Sequence, residues 1–199
     1  MLLKKKIEIE AWLNKYQIEN YELIENKIYG YIVNVNNNVN LYNKDLKKIE
    51  VKFHEVNGYF NCSTNQLTSL KGSPNKIKSY FDCSDNLLTN LKYSPSSVGE
   101  YYDCYDNNLI SLKGCTKFFN NYLYLDKNDL TLESLKYLPE VEYVDIQDNP
   151  KLKDFNQIKD GKELKKIINE LLNIKKEKRK LLNIINKENL SINKIINKI

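Results

Sequence analysis

Three cysteines, Cys62, Cys83 and Cys104, recur at intervals of 21 residues, and aspartates keep the same interval beside them. Asp82 and Asp103 form one row that resumes at Asp145, and Asp85 and Asp106 form another that resumes at Asp148. Convergent thiolates could hold zinc or close disulfides, and convergent carboxylates could hold calcium or divide into a general acid and a base. Each of those chemistries needs side chains aimed at one point. A fixed long interval does the opposite, because it lays identical groups side by side along an axis. The elements that carry these residues therefore decide what the residues do.

The interval runs through the middle of the chain. Tyr59, Tyr80, Tyr101, Tyr122 and Tyr143 keep it, as do Asn65, Asn86, Asn107, Asn128 and Asn149. Phe60, Phe81, Tyr102, Leu123 and Val144 make an apolar row. Val39, Leu41 and Leu46 place an incomplete copy in front, with Lys44 where later copies have Asn. In every copy, apolar residues at i and i+2 put two side chains on one face of a short strand. Stacked copies then pair these strands in parallel, about 4.8 Å apart. Leu67, Leu88, Leu109 and Leu130, with Leu70, Leu91 and Leu112, are predicted to fill the interior. Gly72, Pro74, Pro95 and Gly114 are predicted to turn the chain on the far side. The cysteines occupy the position held by Leu41, Leu125 and Ile146 in other copies, so they are expected to pack inward as small hydrophobes. Stacked neighbours point the same way, which suits a disulfide poorly. The single histidine, His54, is expected on the far side of an earlier copy, so no metal site is predicted. Cys115 lies outside the row and is expected to be the more exposed thiol.

The segment "VEYVDIQDNPKL" (141–152) resembles the leucine-rich repeat, L-x-x-L-x-L-x-x-N/C-x-L, and "YFDCSDNLLTNL" fits with Phe and Cys in place of Leu. Copies of the form F-x-C-S-x-N-x-L-T-S-L-x-G-x-P are similar to those of bacteriophage and bacterial repeat proteins. "WLNKYQIENY" (12–21) looks like the leading segment of the phage group. The likeness covers roughly residues 12–155. It implies an α/β repeat fold: a leucine-rich-repeat solenoid with a parallel β-sheet on its concave face. It also implies a protein of a mobile element, working in the host cytoplasm.

Both ends need covers. Residues 1–36 read as an N-terminal cap: a helix with Ile7, Trp12 and Leu13 near one face, then a hairpin turning near Asn26. Residues 37–158 read as the solenoid and 159–199 as a basic helical segment opened by Asp160-x-x-Glu163. In that segment Leu164, Ile167, Leu171, Ile174, Leu181, Ile185, Ile192, Ile195 and Ile199 recur at heptad a/d spacing. Lys178 and Glu188 interrupt the seam, and "ENLS" at Ser191 is expected to split the helix. The seam could cap the last repeat or join a second copy as a homodimer.

The net charge of +5 is unevenly spread: residues 31–158 carry −2 and residues 159–199 carry +7. The start, MLLKKKIEIE, has no apolar run behind its lysines, and no stretch approaches the roughly 18 apolar residues of a membrane span. The expectation is a cytoplasmic chain with free thiols and no membrane contact. No P-loop, Gly-rich dinucleotide turn or nucleophile elbow is present, so neither catalysis nor a cofactor is expected.

What remains is the outward strand face. It holds Tyr59, Tyr80, Tyr101, Tyr122 and Tyr143, then Asp82, Asp103, Tyr124 and Asp145, then Asp85, Asp106 and Asp148, with Tyr105, Asp126 and, at the edge, Glu100. Stacked like charges repel one another, so a basic protein partner would relieve them. Tyrosine suits such an interface because it joins a rigid apolar body to a hydroxyl. The expected function is non-enzymatic protein binding by this face. A host defence nuclease of the CRISPR type is one partner suggested by the phage resemblance. The alternatives are nucleic-acid or acidic-partner binding by Lys175, Lys176, Lys178, Arg179 and Lys180, or a structural, virion-associated oligomer.

Overall fold

The computed structural model describes residues 2–117 and 121–196, with side chains to residue 186. The chain begins with helix α1 (Leu2–Lys15) and the strands β1 (Tyr21–Asn26) and β2 (Gly30–Val35). Short strands follow: β3 (Val39–Asn40), β4 (Phe53–Val56), β5 (Phe60–Asn61), β6 (Lys76–Ile77), β7 (Phe81–Asp82), β8 (Ser97–Val98) and β9 (Tyr102–Asp103). The chain ends with β10 (Tyr122–Tyr124), β11 (Tyr143–Asp145) and helix α2 (Gly161–Ile196).

The strands stack into a solenoid with two sheets. One has six parallel strands in the order β11-β10-β9-β7-β5-β3, and its register steps by the repeat: Phe60 pairs with Phe81, and Phe81 with Tyr102. The other has the order β1-β2-β4-β6-β8, parallel except for the β1–β2 hairpin. This second sheet corrects the expectation that turns alone would close the far side. Val56, Ile77 and Val98 pair across it, with Val35 beside Val56. They keep the same interval of 21, so the signal lay in the sequence. Their single inward residues per copy gave no alternation by which to recognise a strand. His54 sits on β4, in this sheet. The glycines at the bend are required there. Gly72 and Gly114 have φ of +105° and +94°, and a Cβ on Gly72 would lie 2.8 Å from Ile49 Cβ and the Val51 carbonyl.

The core between the sheets is continuous. Leu41, Phe53, Phe60, Leu67, Leu70, Phe81, Leu88, Leu91, Tyr102, Leu109, Leu112 and Leu125 are all fully buried. Tyr102 stands in the Phe column, and its hydroxyl lies 2.7 Å from Ser94 Oγ. Cys62, Cys83 and Cys104 are fully buried as free thiols, with Cys83 Sγ 3.8 Å from Cys104 Sγ.

The asparagine row ties each copy to the one before it. Asn107 Nδ2 donates to the carbonyls of Cys104 (3.3 Å) and Tyr105 (3.2 Å) in its own turn and of Cys83 (3.0 Å) one copy back. Its Oδ1 accepts the Leu88 N–H at 2.9 Å. Asn86, Asn128 and Asn149 repeat the arrangement. Asn65 Oδ1 accepts from both Lys44 and Leu46, so the incomplete first copy is served by the second.

At the N-terminus α1 buries Ile9, Trp12 and Leu13, with the Trp12 ring 6.2 Å from Phe53. Ile7 points to solvent, which corrects the expected face by two residues. The hairpin turns at Asn26, whose Oδ1 accepts the N–H groups of Ile28 and Tyr29. It extends the second sheet rather than covering the first strand of the six-stranded one. At the other end Asp160 Oδ1 caps α2 by accepting the N–H groups of Lys162 and Glu163. Leu164 and Ile168 are fully buried against the last copy. The helix continues through Ser191 without the expected break. The seam positions Ile192 and Ile195 lie beyond the described side chains, and Ile199 lies outside the described residues.

Replacing Asn107 by Ala strands the buried Leu88 N–H and takes one of two donors from each of the Cys83, Cys104 and Tyr105 carbonyls. We expect a loss of about 2–4 kcal/mol in urea denaturation, well above that for an exposed Asn such as Asn90.

Candidate functional site

The outward face of the six-stranded sheet carries the tyrosines as one row. Tyr59, Tyr80 and Tyr101 stack nearly parallel, with centroids 4.7 and 4.6 Å apart and interplanar angles of 11° and 6°. The stack ends at Tyr124, which meets Tyr101 edge-on at 6.2 Å and takes the place that aspartates hold in other copies. Tyr122 turns outward to 45% exposure, while Tyr143 packs on both Tyr122 and Tyr124 at 5.5 and 6.1 Å. Ring packing thus accounts for the positions of Tyr59, Tyr80 and Tyr101 without any partner. Burial first, and then surrounding phenols and carboxylates, raise the pKa of Tyr80, Tyr101, Tyr124 and Tyr143, so all keep their hydroxyl protons at neutral pH.

The aspartates have local work as well. Asp82 Oδ1 accepts the Ser84 N–H at 3.0 Å and its hydroxyl at 2.7 Å. Asp103 accepts from the Tyr105 N–H at 2.8 Å and Asp145 from the Gln147 N–H at 3.0 Å. Asn40 and Asn61 make the same turn-closing bond in the first two copies. The next row, Thr64, Asp85, Asp106, Lys127 and Asp148, has φ between +46° and +53° throughout. Asp and Asn tolerate that left-handed region better than most residues.

Turn geometry explains an Asp or an Asn at these places, but it does not explain the charge. Asn performs the first role in copies one and two, and it suits the second role equally well. The charge is opposed in the folded state. Burial, then the carboxylates of Asp82, Asp126 and Asp85, push Asp103 up to about 7 against the pull of its bond from Tyr105. Asp85 is raised by burial and then by Asp106 and Asp82, and Asp126 by burial and then by Asp145 and Asp148. Among the described residues two cations answer. Lys127 bonds Tyr105 Oη and lies 3.7 Å from Asp106 Oδ2. Lys159 lies 2.6 Å from Asp145 Oδ1. Glu100 stands at the edge and accepts a hydrogen bond from Ser79 Oγ at 2.8 Å.

The basic run of α2 is elsewhere. Lys175 lies 3.7 Å from Glu133 and Lys180 lies 2.7 Å from Glu177, while Lys176, Lys178 and Arg179 are exposed. The sequence reading passed over one feature, an open groove of about 940 Å³ lined by Lys47, Lys48, Lys52, Lys71, Tyr29 and Tyr93. Its half-buried Lys52 is committed, donating to the Ser73 carbonyl (2.5 Å) and Asn75 Oδ1 (3.0 Å), and burial lowers its pKa. Lys71 keeps the interval in Lys92 and Lys113, but Lys47, Lys48 and Lys52 have no counterpart in the next copy, so the periodicity gave no sign of the cluster as a whole.

Among the described residues no group of three or more His, Cys, Asp or Glu is arranged to hold a metal ion. No helix of the described residues is long and apolar enough to cross a membrane. Comparison of the chain with family models, curated proteins and solved structures found no match.

Two outcomes follow from the burial of these groups. Cys115 is partly exposed, as expected, yet burial of its sulfur pushes the thiol up to about 12. With Cys62 and Cys104 also raised by burial, native protein should react with a thiol reagent far more slowly than denatured protein, by at least tenfold. Asp103 has its folded pKa above its unfolded one, so the unfolded state releases its proton first. Stability should fall as pH rises from about 4 to about 7 and then level off. Asp103→Asn keeps the acceptor for Tyr105 and removes the charge. It should raise stability by about 1–3 kcal/mol at pH 8 and leave it unchanged below pH 4, as read by denaturation at both pH values.

Proposed function

We propose that this chain is a non-enzymatic binding protein that captures a basic protein surface on the Tyr/Asp face of its six-stranded sheet. The supporting observation is the charge that turn geometry does not need. Among the described residues Asp82, Asp85, Asp103, Asp106, Asp126, Asp145 and Asp148, with Glu100, face two cations, Lys127 and Lys159. A cationic partner would neutralise this row and lower the pKa values that mutual repulsion raises. The partly buried tyrosines place hydroxyl oxygens, which can accept from lysine and arginine, beside the carboxylates, and apolar ring carbon against which their stems can lie. Stability surrendered for a binding surface is a recognised trade in proteins.

The leucine-rich-repeat pattern supports a binding scaffold in place of a catalyst, since such solenoids offer long surfaces to partners. A nuclease is the class of partner we favour, because its nucleic-acid channel is basic and matches an acidic, aromatic decoy. The phage-type copies make an inhibitor of a host defence nuclease, including a CRISPR-type enzyme, the specific form of that reading.

The test uses Asp82, Asp85, Asp103 and Asp106 changed together to Asn, which preserves both turn roles and removes four charges. Tagged wild-type chain should retain basic proteins from bacterial lysate in a salt-sensitive manner, and the quadruple variant should lose them while unfolding at higher temperature. Equal capture by a folded variant would rule out this face. Capture that instead vanished on replacing residues 175–180 and on nuclease treatment would transfer the function to nucleic acid bound by α2.

A further inference from the structure

Helix α2 carries two apolar rows, and the body of the protein covers one of them. Leu164, Ile168 and Leu172, four residues apart, face the end of the solenoid; the first two are fully buried and the third is half-buried. A second row, Ile167, Leu171, Ile174, Lys178, Leu181 and Ile185, advances by alternating fours and threes. At 3.6 residues per turn it lies roughly 100° around the helix from the first. Ile174, Leu181 and Ile185 are 52%, 59% and 44% exposed, and Leu182 and Ile184 beside them are 57% and 52% exposed. From Asn173 to the end of the described side chains every residue of the helix is exposed. The heptad seam thus joins the capping face at Leu164 and stands clear of it from Ile174 onward. Capping explains Leu164, Ile168 and Leu172 and leaves Ile167 and Leu171 half-buried, while among the described residues Ile174, Leu181 and Ile185 of the longer row stay exposed.

The longer row has a symmetry of its own. The sequence continues it through Glu188, Ile192, Ile195 and Ile199, and the backbone stays helical to Ile196. Every position has a counterpart on the other side of Asn183. A helix turned end for end about that residue sets position 181 opposite 185, 178 opposite 188, 174 opposite 192 and 171 opposite 195, and the spacing in the sequence matches 167 to 199. Apolar meets apolar at every level but one. The exception places Lys178 opposite Glu188, and the two-fold axis makes that pair occur twice. Leu182 and Ile184 flank the axis and meet their own copies, so the segment Leu181–Leu182–Asn183–Ile184–Ile185 becomes the apolar centre.

We propose that α2 pairs with the α2 of a second copy of this chain as an antiparallel coiled coil centred on Asn183. The occupant is a second copy because the row complements itself, which is what an isologous contact requires. Orientation follows from charge. A parallel pair would set Lys178 against Lys178 and Glu188 against Glu188, and the antiparallel pair replaces both repulsions with opposite charges. The row extends over about four heptads, enough for an a/d pattern to specify a coiled coil. Pairing also supports a helical arm that otherwise stands in water on its own propensity, where isolated helices are marginal.

Sedimentation equilibrium of the full chain tests the proposal. Wild type should be a dimer in the micromolar range. Lys178→Glu sets Glu opposite Glu188 at two places, and Glu188→Lys sets Lys opposite Lys178 at two places. Each single variant should weaken the dimer by roughly tenfold or more. The double variant K178E/E188K restores opposite charges and should recover wild-type affinity. The thermal transition of the body should stay unchanged, since closure of the solenoid uses Leu164, Ile168 and Leu172, and far-UV circular dichroism should lose helical signal only as far as the unpaired arm does. A monomeric wild type, or single variants that dimerise as well as wild type, would overturn the proposal. A double variant no better than the singles would overturn the antiparallel register.

Discussion

Each asparagine at the end of a sheet strand bonds its own turn and the preceding copy at once. Its amide donates to two carbonyls nearby and one in the copy before, and its oxygen takes an N–H from that same earlier copy. The Cys62 and Cys83 carbonyls and the Leu67 N–H meet asparagine side chains at this bend, and burying such groups unpaired would cost more than the bonds return. The row therefore fixes how closely copies approach, and with it the stacking of every strand. The tyrosine spacing of 4.6–4.7 Å is a consequence, since it matches the separation of strands in one sheet. So is the crowding of the aspartates. A solenoid cannot let one column of side chains spread apart without breaking another.

That constraint places the acidic face in an unusual position. In a flexible loop, carboxylates would swing away from one another into water. On stacked strands they are held by turn bonds to Ser84, Tyr105 and Gln147, and Asp103 is partly buried as well. Asparagine already does this work in copies one and two, so the shift from Asn to Asp along the stack changes charge and little else. Among the described residues the cations on this face are Lys127, which reaches back to Asp106, and Lys159 beside Asp145. The solenoid is thus graded along its axis, from neutral through strongly acidic to partly compensated, and a partner would meet a direction as well as a charge.

The two ends of the solenoid are closed by different means. At the front, the β1–β2 hairpin adds strands to the second sheet and α1 buries Trp12 against Phe53, so the cap continues the sheet order. At the back, the Val144 N–H bonds the Lys159 carbonyl and the Gly161 N–H bonds the Glu142 carbonyl, covering the edge of β11 just before α2 begins. Only the first turns of α2 are needed for that closure. The remaining length of a 36-residue helix, roughly 54 Å in all, serves no purpose within the body.

The sequence by itself determined the stack. An interval of 21, with apolar residues at i and i+2 and an asparagine after them, identifies the inward columns and makes Cys62, Cys83 and Cys104 core residues. This works because each copy touches only its neighbours, so spacing along the chain becomes position in space. Only the tertiary structure decided the rest. The valine and isoleucine column at 35, 56, 77 and 98 became a second sheet through pairing between copies, which a two-residue strand cannot announce. The aspartates proved to be turn acceptors and left-handed residues, because backbone direction at a bend is not written in polarity. In α2 the sequence offered two overlapping apolar rows, both starting near Leu164. The angle at which the helix crosses the last copy chose Leu164, Ile168 and Leu172 for burial, and a crossing angle belongs to packed surfaces and not to the order of residues.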